Sequence, residues 1–305
     1  MKYIRNTLEF QIKEPTVVTF GKFDGLHMGH ELLMDTLKQK KEEKGYSSVV
    51  FTFDIPPKPN ASSEEKRVLT TNIEKHRLFE QVGVDYLIEC PFTKEVMTME
   101  PVAFIEWMVR SLNMKCVVTG NDFCFGHNRK GDYHLIEECA KEYGYEAIVK
   151  EKIRQDGRDI SSTYIREEIR KGNMEKAREL LGYDFFVTGE VVHGNHIGHS
   201  LGFPTVNLIL PEEKLLPPNG VYQTRVCLEQ KVYHGVTNVG YKPTVEGTHP
   251  LGIETFILDF EGDLYGKEIT ISFLTYLRPE QKFDSLEALK LQLCHDISMV
   301  RQLTK

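Results

Sequence analysis

Thr16-Val17-Val18-Thr19-Phe20-Gly21-Lys22-Phe23-Asp24-Gly25-Leu26-His27-Met28-Gly29-His30 is the stretch on which the fold turns. Its first five residues are apolar or β-branched and read as a buried strand. Gly21 and Gly25 permit a tight backbone path directly after that strand. From about Gly29 to Lys44 the pattern is helical, and Gly45 is placed to stop it. Strand, glycine loop and helix together open an α/β unit, and such units bind ligands beyond the carboxyl ends of their strands.

The same alternation runs on. Ser48-Val49-Val50-Phe51-Thr52-Phe53 is a second strand, and Pro56, Pro57 and Pro59 then force a loop. A helix is expected from Glu74 to Val82, with Gly83 as its stop, followed by a strand at Tyr86-Leu87-Ile88. Pro101 suits the first turn of a helix reaching Leu112. Lys115 to Thr119 reads as a strand, Asp132 to Tyr143 as a helix and Tyr145 to Val149 as extended chain. A parallel sheet covered on both faces follows from this pattern. Its loops Gly21–His30 and Gly120–Asp132 both follow strands and are expected to converge.

Near Tyr183 the pattern changes. Short β-rich runs at Phe186–Val192, Val221–Leu228, Val232–Val239, Glu254–Phe260 and Glu268–Phe273 are separated by Gly, Pro and Asn. They predict an antiparallel barrel. A last helix is expected from Ser285 to Gln302, with Ser285 as its N-cap. The boundary is placed within 183–186, giving domains 1–184 and 185–305.

Composition narrows the function classes. The chain has 305 residues, 40% of them hydrophobic, enough for two ordinary domains with real cores. A formal net charge of -7 without a basic tail argues against a general nucleic-acid binder. No long apolar run predicts a membrane span, and Met1-Lys2-Tyr3-Ile4-Arg5 does not lead into a signal core. The six cysteines are scattered without a Cys-x-x-Cys pair, which suits a reduced, cytoplasmic protein. Oligomeric state is not legible.

Two segments carry the chemistry. In the first, His27 and His30 stand three apart at a helix start, so both rings share one face, and Gly29 between them lets a ligand approach. The helix N-terminus adds free N–H groups and partial positive charge. Two imidazoles and a helix end fit the charge that develops when a triphosphate is displaced at its α-phosphorus. An isolated His-x-Gly-His reads equally well as two surface histidines; the strand before it and the Gly21, Phe23, Asp24, Gly25 context favour phosphate. No third ligand nearby supports zinc. Ser161-Ser162-Thr163-Tyr164-Ile165-Arg166 sets hydroxyls at a helix start and Arg on its first turn, which suits a phosphate or a plain N-cap.

The second segment runs from Gly189-Glu190-Val191-Val192-His193-Gly194 into Gly202-Phe203-Pro204-Thr205-Val206-Asn207. Thr205 and Asn207 are two apart in extended chain, so they face the same way and offer hard oxygen ligands for Mg²⁺ with ATP. Glu254 is expected to open the strand Glu254–Asp259, where a carboxylate can accept a proton from an alcohol. Taken singly, a turn before a strand and an exposed strand-end charge explain these residues better; their combined order favours the phosphate chemistry. His193, His196 and His199 also recur every three residues, but in a glycine-rich loop where shared-face geometry is not assured.

Gly21–His30, Asn121-Asp122-Phe123-Cys124-Phe125-Gly126 and Ser161–Arg166 resemble, in order and spacing, the adenylyltransferase half of bacterial bifunctional riboflavin kinase/FAD synthetases, over nearly all of 1–183. The second segment resembles that family's kinase module over about 185–302, together with Thr237–Thr244, Leu264-Tyr265-Gly266 and Leu277–Phe283. The resemblance implies a Rossmann-like nucleotidyltransferase domain before the barrel, phosphorylation of riboflavin to FMN, and transfer of AMP from ATP to FMN with release of pyrophosphate. It implies that His27 and His30 meet ATP phosphates, that Ser162, Thr163 and Arg166 hold the triphosphate, and that Asp122, Phe123 and Phe125 lie at the flavin. It implies Thr205 and Asn207 on Mg²⁺-ATP and Glu254 as base. The family often has His where Pro57 stands, Arg where Cys124 and His199 stand, and Thr where Ser200 stands. Two other readings remain at this level: one of the two activities alone, or a non-catalytic flavin- or nucleotide-binding regulator.

Overall fold

The computed structural model describes residues 1–54, 67–194, 202–228, 231–241 and 251–304. Pro57, His196, His199, Ser200 and the Lys242–Thr244 stretch lie outside the described residues. The chain divides into two compact units, one made of Met1–Lys66 and Asn72–Ser161, the other of Arg67–Thr71 and Ser162–Lys305.

The first unit contains β1 (Lys2–Arg5), β2 (Thr16–Phe20), α1 (Met28–Lys44), β3 (Ser47–Asp54), α2 (Asn72–Val82), β4 (Tyr86–Pro91), α3 (Lys94–Met97), α4 (Pro101–Leu112), β5 (Met114–Gly120), α5 (Tyr133–Tyr143), β6 (Glu146–Lys150) and the small strands β7 (Arg154–Gln155) and β8 (Arg158–Asp159). Six strands form one sheet in the order β1-β4-β3-β2-β5-β6. Every pairing within it is parallel. Helices cover both faces, so β2 is buried at all five positions, as a continuous apolar run requires. Val17, Val18, Val49, Val50, Val117 and Val118 have no exposed surface. Each such side chain contributes roughly 1.5–3 kcal/mol by leaving water.

Local signals set the helix ends. Gly45 takes φ 68° after α1, and its N–H bonds to the Lys41 carbonyl. Asp132 accepts from the backbone N–H groups of His134 and Leu135 to start α5. Pro101 occupies the first turn of α4, where a missing N–H costs nothing.

The second unit contains α6 (Ser162–Arg170), α7 (Met174–Leu181), β9 (Phe186–Val192), β10 (Thr205–Ile209), β11 (Gly220–Leu228), β12 (Lys231–Tyr241), β13 (Leu251–Ile257), β14 (Glu268–Arg278) and α8 (Leu286–Leu303). Its strands close a barrel in the order β10-β13-β12-β11-β14-β9. All pairings are antiparallel. Ser285 caps α8 through the Ala288 N–H. Thr224, Thr237 and Thr255 are fully buried in the barrel, and their hydroxyls bond to one another at 2.7 and 2.8 Å. Arg67–Thr71 joins this unit through Val68, whose N–H donates to the Glu213 carbonyl, and through the buried Lys214 ammonium, which donates to the Leu69 carbonyl at 2.6 Å.

One strand differs from its sequence reading. Glu254 does not open a strand; it lies in the middle of β13, which begins at Leu251 and ends at Ile257. The apolar series Phe256, Leu258, Phe260 suggests continuation, but Asp259 turns the chain at φ 57°.

Candidate functional site

In the first unit the site is built at the carboxyl ends of β2, β5 and β6, neighbours in the sheet. The chain leaving β2 turns sharply: the His27 N–H donates to the Gly25 carbonyl at 2.6 Å, with Gly25 at φ 67°. That carbonyl also faces His30 Nδ1 at 3.3 Å. The two imidazoles stack, with centroids 3.7 Å apart and planes 20° from parallel. A Cβ on Gly29 would lie 3.2 Å from the His27 ring and 3.7 Å from the Ile160 carbonyl oxygen, so the glycine lets the ring sit over the helix start.

Both rings are held neutral. Burial, together with the neighbouring His30, lowers His27 to about 2; its Nδ1 is buried without a partner. Burial also lowers His30 to about 4, against the opposing pull of the Gly25 carbonyl, Asp24 and Asp122. If Nδ1 of His30 donates to Gly25, its Nε2 lone pair is left for a ligand.

The sequence-predicted residues take different stations. Phe23 turns its side chain inward at 1% exposure, in a left-handed backbone conformation of φ 50°. Its ring lies 5.1 Å from His30 and 5.5 Å from Phe79, so it supports the histidine from behind. Gly21 makes room for that ring, since a Cβ there would approach it to 2.9 Å. Asp24 is buried. Phe123 stacks between Phe20 and Phe125 at 5.9 and 5.5 Å. Phe125 itself is buried against Phe104. Asp122 follows Gly120, whose missing side chain leaves space for its carboxylate. The division between units falls between Ser161 and Ser162, so Ser162, Thr163 and Arg166 belong to the second unit, at the start of α6. There Arg166 Nε donates to the Arg67 carbonyl at 3.2 Å.

In the barrel, Glu254 is flanked in register by Asn207 of β10 and Asn238 of β12. Directly paired residues share a face, so the three side chains stand together. Thr205, two residues before Asn207, donates from its hydroxyl to Glu254 Oε1 at 2.5 Å. Gly194 packs on the Asn207 amide: a Cβ there would come within 2.1 Å of its nitrogen. Gly202 takes φ 86°, with open space where a side chain would be.

Thr205 and Glu254 line a cavity of about 330 Å³. Its walls are Phe203, Phe256, Val221 and Val236 on the barrel side and Leu289, Leu293 and Ile297 on α8. Because Thr237 and Thr255 face into the barrel, the adjacent Asn238 and Glu254 face outward, so this cavity lies between the barrel's outer wall and α8. An apolar cleft of this size with a few polar groups suits a planar heteroaromatic ligand carrying a polar chain.

Two acidic residues also line the cavity. Asp296 is fully buried, and both its oxygens accept from Arg278, whose Nη2 lies 2.7 Å away. The pair fastens α8 to β14. Its signal was an acid inside the apolar series Leu289, Leu293, Ile297, Val300. Glu280 also lines the cavity, accepting from Asn219 and Asn238 at 3.2 Å each.

With both sites described, the relatives of the chain become informative. Residues 9–164 match the FAD synthetase family and residues 181–304 the riboflavin kinase family. The chain is 34% identical to the bifunctional riboflavin kinase/FMN adenylyltransferase of Escherichia coli K12, over 99% of this chain and 97% of that one. The chain belongs to the bifunctional riboflavin kinase/FMN adenylyltransferase family. The family's Bacillus subtilis 168 member is also 34% identical, covering 92% of this chain and 90% of its own. A crystal structure named as a macrolide-efflux protein from Streptococcus pneumoniae is 30% identical and covers 99% of both chains with a TM-score of 0.88. Family membership makes this chain an enzyme with an FAD synthetase region and a riboflavin kinase region, using ATP and flavins. Among the described residues no helix is long and apolar enough to cross a membrane.

Proposed function

We propose that the barrel unit phosphorylates riboflavin to FMN and that the parallel-sheet unit converts FMN to FAD. The observation that carries this reading is the Thr205–Glu254 contact on the wall of an apolar cavity, in the same chain as the stacked His27–His30 pair. Riboflavin lies in the cavity with its 5′-hydroxyl toward Glu254. The carboxylate takes the hydroxyl proton as the oxygen attacks the γ-phosphorus of ATP, and ADP leaves. Gly194 and Gly202 give the phosphates access to the backbone.

The donor set fits Mg²⁺. Thr205 and Asn207 offer a hydroxyl and an amide oxygen on one face of β10, and Gly194 holds the amide in place. When bound with ATP, the ion neutralises phosphate charge. Thr205 orients the Glu254 carboxylate whether or not the ion is present.

In the other unit an oxygen of the FMN phosphate bonds to the α-phosphorus of ATP, and the bond to the bridging oxygen breaks. Pyrophosphate departs with the electron pair. His27 serves a phosphate oxygen through its Nε2–H, and His30, whose Nδ1–H faces the Gly25 carbonyl, donates from Nε2 once that nitrogen takes a proton as charge grows, with the α1 N-terminus beside them. Gly21, Gly25 and Gly29 shape the loop, and Asp24 and Phe23 brace it. The family resemblance assigns Ser162, Thr163 and Arg166, at the start of α6, to the triphosphate. Asp122, Phe123 and Phe125 border the flavin. On function, the division lies at 184/185. Free buried thiols at Cys90, Cys116 and Cys139, and net negative charge, support a cytoplasmic enzyme without nucleic-acid or membrane partners.

Incubation with riboflavin and Mg-ATP, with flavins separated over time, tests the reading. FMN appears first and FAD follows. Absence of FMN removes the kinase role, and absence of FAD from supplied FMN removes the adenylyl-transfer role.

A further inference from the structure

Adenylyl transfer sets the phosphate of FMN against a triphosphate, so the receiving site must supply positive charge. The side chains of the first unit described so far do not. His27 and His30 are neutral, and Asp24 and Asp122 are acids.

Lys152 lies just beyond the end of β6. Its ammonium is 3.0 Å from Asp122 Oδ2 and 3.6 Å from Asp159 Oδ2. These partners place it from two sides. Asp122 leaves β5, and its charge reaches His30. Asp159 precedes Ile160, whose carbonyl borders Gly29 at the start of α1. The β5 and β6 loops are tied directly, since the Asn121 N–H donates to the Lys150 carbonyl at 3.0 Å. The ammonium therefore bridges the two segments that flank the histidine pair. Asp159 has a second cation, Arg154 Nε at 3.2 Å, so it does not need Lys152 for neutrality. The Lys152 side chain keeps 35% of its surface exposed, enough for a phosphate to reach it.

Resting on the adenylyl-transfer reading above, we propose that Lys152 is the cation that binds the FMN phosphate, with Asp122 and Asp159 aiming the ammonium until the flavin arrives. A phosphate dianion offers the ammonium three oxygens in place of one carboxylate. Lys152 binds the attacking substrate, and the histidines serve the transferred group.

The test measures KM for FMN and KM for ATP separately in FAD formation, with riboflavin phosphorylation as the check on folding. Lys152→Gln is expected to raise KM for FMN roughly tenfold or more, as loss of a charge-assisted phosphate contact does. KM for ATP stays within about twofold, and Lys152→Arg keeps most of the FMN affinity because it retains the charge. An unchanged KM for FMN in Lys152→Gln, or a rise in KM for ATP as large as that for FMN, overturns the assignment. A wild-type protein that forms no FAD from FMN and ATP defeats the parent reading instead, so the two failures are separable.

Discussion

Acid should destabilise the parallel-sheet unit through its histidine pair. His27 and His30 titrate at about 2 and about 4 when folded, against an ordinary 6.5. A histidine with a depressed folded value is protonated first in the unfolded chain. The stability it gives is therefore full above pH 6.5 and drains as pH falls toward the folded value. Between pH 7 and pH 5 each ring loses about 2 kcal/mol, so the pair loses up to about 4 kcal/mol. That is a large part of the stability of an ordinary domain. The comparison is wild type against His27→Asn/His30→Asn, which cannot titrate and places a good capping residue at position 27. Urea unfolding is followed by fluorescence at pH 7 and pH 5. The single tryptophan, Trp107, packs among Phe10, Phe51 and Phe104, so the signal reports this unit alone. Wild type should lose more stability than the variant by about 2–4 kcal/mol. Parallel losses in the two proteins would show that the rings are not buried neutral and would refute the reasoning.

Further outcomes follow from single residues. His30→Ala lowers FAD formation about 10²-fold or more and leaves riboflavin phosphorylation intact, measured by separate assays of the two steps. Glu254→Gln reverses that selectivity; near-normal FMN formation by this variant would remove Glu254 as the base. Gly194→Ala drives a methyl group into the Asn207 amide and should cut riboflavin phosphorylation at least tenfold, with FAD formation from FMN unchanged.

Much of the fold was legible because its signals are local. β2, α4 and β9 stand where β-branched runs, a first-turn proline and flanking glycines placed them. β13 was displaced by three residues because Gly252 weakens its opening and Phe256, Leu258, Phe260 mimic its continuation. That error hid the position of Glu254 between Asn207 and Asn238. β1 is four residues long and gains its strand character by pairing with β4. The membership of Arg67–Thr71 in the barrel unit rests on Lys214 and Glu213, far along the chain, and no periodicity announces it. In the sites, the histidine pair and the Thr205–Asn207 couple were visible as motifs. Asp296 and Lys152 were not, because their partners are brought to them by folding, and Arg278 was visible only as part of the Leu277–Phe283 segment, without its partner Asp296.

The hydroxyl ladder of Thr224, Thr237 and Thr255 fills the middle of the barrel with groups that already satisfy one another. A guest molecule has no berth there and must lodge outside, roofed by one helix. Chemistry and fit are thereby assigned to different parts: the reacting side chains ride on rigid strands, while much of the apolar lining hangs from α8. On the proposed kinase reading, redesign toward altered flavins would rewrite Leu289, Leu293 and Ile297 on that single roof and leave Thr205 and Glu254 where they are.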